Sequence, residues 1–225
     1  MSETMHALIQ RQWDDVFQKR AWGQYPPEYL IRQVARHFYN VPDRARIKFL
    51  DLGAGTGTSS WFLLREGFSE VTALDCSDTA LELAKQRMTG EGYVLRTSVG
   101  AMESLPFEDG VFDCVVDTGG TTSNPLATCQ RIVREIHRVL KPGGKYFAMY
   151  LGQETTVTGT GPEPHFYTEA TAGPLAGTPT FRLFNRAELE KLLSGFTDVF
   201  IEKETRTQNR QTEVSQIWVV TATRP

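Results

Sequence analysis

The sequence predicts a three-layer α/β sandwich, and three observations carry that prediction. Short apolar runs alternate with helix-like patterns along most of the chain. The first of those runs breaks into a glycine-rich turn, Gly53-Ala54-Gly55-Thr56-Gly57. The chain then closes on two strand-like runs, over 199–203 and 214–221, joined by a polar connection. Such a short return suits an antiparallel pair, because parallel neighbours need a crossover.

The elements follow in order. Residues 10–22 hold Trp13, Val16, Phe17 and Trp22 at helical spacing, and the chain turns at Pro26-Pro27. A helix over 28–39 carries Leu30, Val34 and Phe38 on one face. The first strand spans 47–52. Beyond the glycine turn comes a helix over 59–66, stopped by Gly67. A strand over 70–74 leads to Ser77, whose hydroxyl suits an N-cap for a helix over 79–88. Short strands follow near 93–97 and 112–116. Asn124-Pro125 opens the next helix, with proline expected at its first position and Pro142-Gly143 expected to stop it. A strand over 145–151 completes the alternating part. Residues 152–180 are rich in Gly, Thr and Pro and show no period, which predicts an irregular functional loop or lid. Asn185-Arg186-Ala187-Glu188 then matches a capping box, opening a helix that should end near Ser194-Gly195.

Composition narrows the functional classes. With 40% hydrophobic and 23% charged residues, a packed core rather than disorder is expected over 225 residues. The net charge of -3 disfavours a strong grip on a polyphosphate backbone, so nucleic acid is not the expected partner. The basic series Arg32, Arg36, Arg44 and Arg46 reads as a solvated face. Cys76, Cys114 and Cys129 are odd in number and lack metal-ligand spacing, so they read as reduced thiols, and no metal is expected. No apolar run approaches the ~18 residues of a membrane span, and a cytoplasmic location is expected.

The glycine turn points to a cofactor. A dinucleotide fingerprint needs Gly-x-Gly-x-x-Gly, but here the third glycine falls one residue early and Thr58 takes its place. Asp51-Leu52-Gly53-Ala54-Gly55-Thr56-Gly57 resembles instead the first motif of the class I S-adenosylmethionine (SAM)-dependent methyltransferases of small-molecule type. Three later segments follow in that family's order. Val71-Thr72-Ala73-Leu74-Asp75-Cys76-Ser77 ends a second strand in an acid. Gly100-Ala101-Met102-Glu103 and Phe112-Asp113-Cys114-Val115-Val116-Asp117 resemble the adenine-side loop and fourth strand. Arg138-Val139-Leu140-Lys141-Pro142-Gly143-Gly144 runs a helix end into a fifth strand. The resemblance implies a Rossmann-like, seven-stranded, mostly parallel sheet with an antiparallel terminal strand. It also implies an N-terminal helical cap over 1–45, and a SAM-binding domain over 46–225 in which 152–180 form a substrate-side insertion.

In an open parallel sheet, ligands bind beyond the carboxyl ends of the strands where the strand order reverses. The candidate residues all fall at such ends. By resemblance, Gly53, Ala54, Gly55 and Gly57 let backbone pass the methionine and ribose parts. Asp75 takes the ribose hydroxyls, because a carboxylate accepts both hydrogen bonds of a diol. Cys76 lies along the adenine, and the Met102 amide reads it. Asp117, or its carbonyl, faces the methionine amino group, and Asp51 either joins the site or orders the turn. Many relatives carry Asp where this chain has Ala101, so here the adenine amino group loses a carboxylate partner.

Methyl transfer from a sulfonium is an in-line displacement that asks the protein mainly to align and to dry the reactants. Asp117-Thr118-Gly119-Gly120 is not the Asn/Asp-Pro-Pro-Tyr type, which disfavours adenine-N6 chemistry. Acceptor contacts are expected from Trp13, Trp22 and Tyr25 and from Tyr167 in the 152–180 segment. His165 is the candidate general base, since its ordinary pKa lies near neutrality. The expectation is methylation of an O or N atom of a small metabolite, a sugar or secondary metabolite, with S-adenosylhomocysteine (SAH) as product. The alternatives are a methyltransferase of RNA or protein and a non-catalytic SAM-binding subunit. A small molecule is the expected partner, a membrane is not, and a homodimer is kept open.

Overall fold

The computed structural model describes residues 4–19 and 23–225. Trp22, one of the expected substrate contacts, lies outside them.

The helices are α1 (Met5–Lys19), α2 (Glu28–Phe38), α3 (Thr58–Arg65), α4 (Asp78–Gly90), α5 (Leu126–Val139) and α6 (Arg186–Leu192). Strands β1 (Lys48–Leu52), β2 (Glu70–Asp75), β3 (Arg96–Val99), β4 (Phe112–Asp117) and β5 (Leu140–Leu151) pair in parallel. Four short strands come next: β6 (Thr158–Thr160), β7 (Phe166–Tyr167), β8 (Glu169–Ala172) and β9 (Phe181–Arg182). The chain closes with β10 (Thr197–Gln208) and β11 (Glu213–Thr223). The main sheet has seven strands in the order β10-β11-β5-β4-β1-β2-β3, and β11 runs antiparallel to both its neighbours. The order reverses between β1 and β4, which places the binding crevice at their carboxyl ends.

The central strands are buried on both faces, which is why they read as unbroken apolar runs. One face packs Cys129, Ile132, Ile136 and Leu189 of α5 and α6 over Leu50, Val115 and Tyr146. The other packs Leu30, Phe62 and Leu81 of α2, α3 and α4 over Phe49, Val71 and Phe147. Each local signal has a physical outcome. Ser77 caps α4, accepting from the Ala80 amide at 3.0 Å. Asn185 and Glu188 form a reciprocal capping box on α6.

Three expectations change. Pro125 is the N-cap of α5, with extended ψ of 154°, one residue ahead of its expected place. The helix ends at Val139 and β5 begins at Leu140, before Pro142-Gly143. The residue preceding a proline is pushed out of the helical region, so Lys141 cannot extend α5. Most of all, 152–180 hold short paired strands between their turns. β6 pairs with β8 and β7 with β9, over a small core of Ala170, Phe181 and Leu183. The glycines there are not flexible spacers. A Cβ on Gly159 or Gly161 would strike the carbonyl of Glu169 or Phe166 on the facing strand. The insertion also leaves and rejoins the sheet at one point. The Phe184 amide donates to Leu151 O at 2.7 Å and the Gln153 amide to Phe184 O at 3.0 Å.

Candidate active site

The crevice at the β1/β4 reversal opens into a cavity of about 340 Å³. Its floor is the glycine turn. Gly53 and Gly55 have φ of 65° and 52°, left-handed conformations that side chains resist. The first is also a close approach. A Cβ on Gly53 would lie 2.8 Å from Gly120 Cα, across the gap between the β1 and β4 loops. A Cβ on Gly55 would press on the Phe17 ring at 3.3 Å.

Asp75 ends β2 and lines the cavity although only 7% exposed. Its Oδ2 accepts from the Gly55 amide at 2.8 Å and its Oδ1 from the Ser77 amide at 2.9 Å. Burial raises its pKa, and the two amides pull it back. Each oxygen keeps a further lone pair, so the carboxylate can still receive a diol. Cys76 follows it on the wall. Burial, and then the neighbouring Asp75, push its thiol up to about 12, which leaves it protonated at neutrality. Ala101, Met102 and Glu103 add the third wall of this end.

α1 closes the cavity from above. Ile9, Trp13 and Phe17 sit four apart on one helix face and line it, with Trp13 stacked on Phe17 at 5.7 Å. The helix is tied down by Gln10 Nε2, which donates to Cys76 O at 3.0 Å, and by the Ser77 hydroxyl bonded to Asp14. His6 Nδ1 comes within 3.8 Å of Glu103 Oε1.

The opposite end is built differently. Thr122, Ser123 and Asn124 come from the 3-10 turn after β4, Met149 and Leu151 from β5, and Leu175, Thr178, Thr180 and Phe181 from the insertion. None of these side chains carries a charge. Thr180 Oγ1 donates to Ser123 O at 2.9 Å and clasps the insertion to the turn.

Several expected site residues are elsewhere. Asp51 is fully buried behind the turn, where its Oδ2 accepts from the Ser60 amide at 2.9 Å and the Ser60 hydroxyl at 2.7 Å. It holds the start of α3 and is not part of the cavity wall. Gly57 faces α4, where a Cβ would meet Ala84 and Met88, so it permits helix packing rather than cofactor approach. The Asp117 carboxylate is sealed in the core. It accepts from the amides of Gly119 and Thr121 and from the Tyr146 hydroxyl at 3.2 Å, and so anchors the turn after β4. Burial raises its pKa. His165 is exposed with φ of 61° and does not line the cavity, because the β7–β9 ribbon carries it to the outer surface. Tyr25, 71% exposed, packs edge-on against Trp61. Tyr167 stacks behind Phe181 at 5.2 Å, one layer away from the cavity.

Trp13, an expected acceptor contact, does line the cavity, and Ile9 and Phe17 on the same helix face join it without having been singled out in the sequence. Phe181 and Thr180 had no sequence signal, because only the β7–β9 pairing brings them back over β5. Among the described residues no group of His, Cys, Asp and Glu could hold a metal, and no helix is long and apolar enough to cross a membrane.

A seven-stranded sheet with its antiparallel hairpin, a glycine turn at the reversal and an acid closing β2 define a class I SAM-dependent methyltransferase fold. Residues 49–144 match the methyltransferase domain family. The chain is 33% identical over 123 residues to the ubiquinone/menaquinone biosynthesis C-methyltransferase UbiE of Chromobacterium violaceum, covering 53% of this chain and 50% of that protein. It thus spans about half the length of the curated relatives it matches. Two solved structures share the fold. A SAM-dependent methyltransferase of Methanosarcina mazei aligns with a TM-score of 0.66 at 23% identity, over 84% of this chain and 96% of that one. The 1,6-didemethyltoxoflavin-N1-methyltransferase of Burkholderia thailandensis, with 1,6-didemethyltoxoflavin and SAH bound, aligns with a TM-score of 0.62 at 19% identity. That match covers 96% of this chain and 83% of the other.

Proposed function

We propose that the protein is a SAM-dependent methyltransferase that methylates an oxygen or nitrogen atom of a small metabolite. The observation that carries this reading is one cavity with two chemically unlike ends. At one end Asp75 offers a carboxylate beside backbone freed by Gly53 and Gly55, with Cys76, Ala101 and Met102 alongside. That set suits SAM: the Asp75 oxygens take the ribose diol, the Met102 amide and Cys76 flank the adenine, and the glycines admit the methionine part. Ala101 itself offers no carboxylate to the adenine amino group, although Glu103 lines the same end.

SAM, when bound, supplies a methyl group on a sulfonium whose carbon–sulfur bond breaks with the electron pair left on sulfur, giving SAH, as the new bond to the acceptor forms. The residues of the chain align and dry that displacement. α1 covers the cofactor end, and the insertion covers the acceptor end. With His165 outside the cavity, the acceptor end holds no group suited to taking a proton at neutrality. Orientation and exclusion of water are what its side chains contribute.

Incubation with methyl-labelled SAM and a metabolite extract tests the reading. Label in a small molecule, on O or N, supports it; label in polymer, or in nothing, overturns it. The relative named as a quinone C-methyltransferase favours a second reading, transfer to a ring carbon, and the position of the label on the product separates the two. The cofactor half has its own measurement. Asp75→Ala should weaken SAM binding by about 10- to 100-fold, because hydrogen bonds to a charged group are worth ~1.5–3 kcal/mol. Unchanged affinity in calorimetric titration would remove Asp75 from the site.

A further inference from the structure

The acceptor end of the cavity holds a side-chain amide whose orientation the protein fixes and whose oxygen accepts no hydrogen bond among the described residues. Asn124 ends the turn after β4, lines the cavity and is 5% exposed. Its Nδ2 donates to Gly120 O at 3.2 Å and Thr121 O at 3.4 Å. Two carbonyls on one side leave no choice of amide flip, since the reverse would set Oδ1 against both of them. Oδ1 accepts no hydrogen bond among the described residues, yet it is not one of the sealed polar atoms. Open to the cavity, that oxygen is free to accept from a guest that displaces water there. Its surroundings are apolar or neutral: Met149, Leu151, Leu175 and Phe181, with the hydroxyls of Ser123 and Thr178.

We propose that Asn124 Oδ1 is the specificity-determining contact for the methyl acceptor, and that it selects an uncharged, largely apolar molecule presenting an N–H or O–H donor. The inference rests on the reading above, in which the Asp75 end of the cavity holds SAM. An amide oxygen can receive that hydrogen bond but cannot remove the proton, so Asn124 orients the donor-bearing atom and does not act as a base. Charged acceptors are disfavoured, because no ion of opposite sign lines this end to offset their desolvation. A site that spends a buried acceptor on one donor also rejects a molecule of the same shape that lacks it.

Three probes of one ring system test this against SAH-saturated protein: 2-naphthol, 2-naphthylamine and 2-methoxynaphthalene. In calorimetric titration the two donors should bind about tenfold more tightly than the methoxy compound, the worth of one hydrogen bond. In Asn124→Ala that preference should vanish while SAH affinity stays within about twofold of the parent, inside the usual scatter of independent sites. Equal binding of the three probes by the parent protein, or no binding by any, overturns the proposal without help from the variant. A preference that survives in Asn124→Ala overturns it as well. Failure of SAH itself to bind would count instead against the cofactor reading on which the proposal stands.

Discussion

The two ends of the cavity are made by different means. The cofactor end is mostly backbone: glycines at the close of β1, an acid at the close of β2, a loop at the close of β3. The parallel sheet fixes those positions, and short contiguous motifs encode them. The acceptor end is mostly side chains, gathered from the turn after β4, from β5 and from an insertion whose ribbons fold back over them. The first construction tolerates little change, because backbone meets backbone. The second can change its lining without moving the sheet. A shared donor with a variable acceptor is what such a division suits.

The largest expected effect comes from breaking the rigid end. Gly53→Val puts a side chain at a left-handed φ and drives its Cβ into Gly120 Cα. The cost should be about 2–5 kcal/mol of stability with loss of SAH binding, summing a conformational and an overpacking penalty. A melting curve and an SAH titration close to those of the parent would show that the two loops do not depend on the contact.

A smaller effect should be confined to the other end. Arg182 in β9 is buried between Glu163 at 2.7 Å and Glu188 at 3.1 Å, and Glu163 also accepts from the Leu126 amide at the head of α5. Arg182→Met strands two partly exposed carboxylates and should cost ~1–3 kcal/mol, discounted for their access to water. SAH affinity should shift by less than about threefold, within the scatter of independent sites. A tenfold loss of SAH affinity would mean the two ends are one coupled unit.

Acidity offers a third lever, on the carboxylates buried at the strand ends. Burial raises the Asp51 carboxyl to about 6, and Asp75 and Asp117 move in the same direction. A raised acid pKa means that the folded state holds protons the unfolded chain has released. Stability should therefore fall as pH rises from about 4 to about 6, by on the order of 2 kcal/mol for Asp51. Asp51→Asn imitates the protonated form and should flatten that part of a plot of melting temperature against pH. An unchanged slope would assign the fall to other groups.

The smallest effect should come from His165. His165→Ala should leave stability within about 0.5 kcal/mol, as for an exposed site, and leave labelled-methyl turnover intact. Loss of turnover would restore it as a base and place the acceptor nearer the outer ribbon.

How much the sequence disclosed follows the same division. Gly53 and Gly55 follow β1, Asp75 ends β2 and Met102 lies in the loop after β3, so their place at the mouth of the crevice was readable from the order of the strands. Asp51 and Asp117 stand equally close to strand ends, but their side chains turn toward the core, and Gly57, at the head of α3, faces α4. Residue type alone does not reveal which way an acid faces. The insertion was opaque for another reason. Its glycines are there for the approach of facing strands, and a composition rich in Gly and Thr reads alike for a lid and for a packed ribbon. His165 drew notice as the chemically able residue of that segment, while Phe181 and Thr180, with no motif to mark them, form the wall.

The pinning of Leu151 and Gln153 to Phe184 gives the insertion the character of a cassette. The ends of the loop are already held together by the sheet, so the entropy of closing it does not depend strongly on what lies between; doubling such a loop costs only about 0.6 kcal/mol. Ribbons of another length or sequence can be grafted between these two anchors while β5 and α6 keep their places. Under the function proposed above, such an arrangement would separate inheritance of a methyl donor from choice of what receives the methyl. A chimera that carries another protein's ribbons on this sheet is the natural way to redirect it.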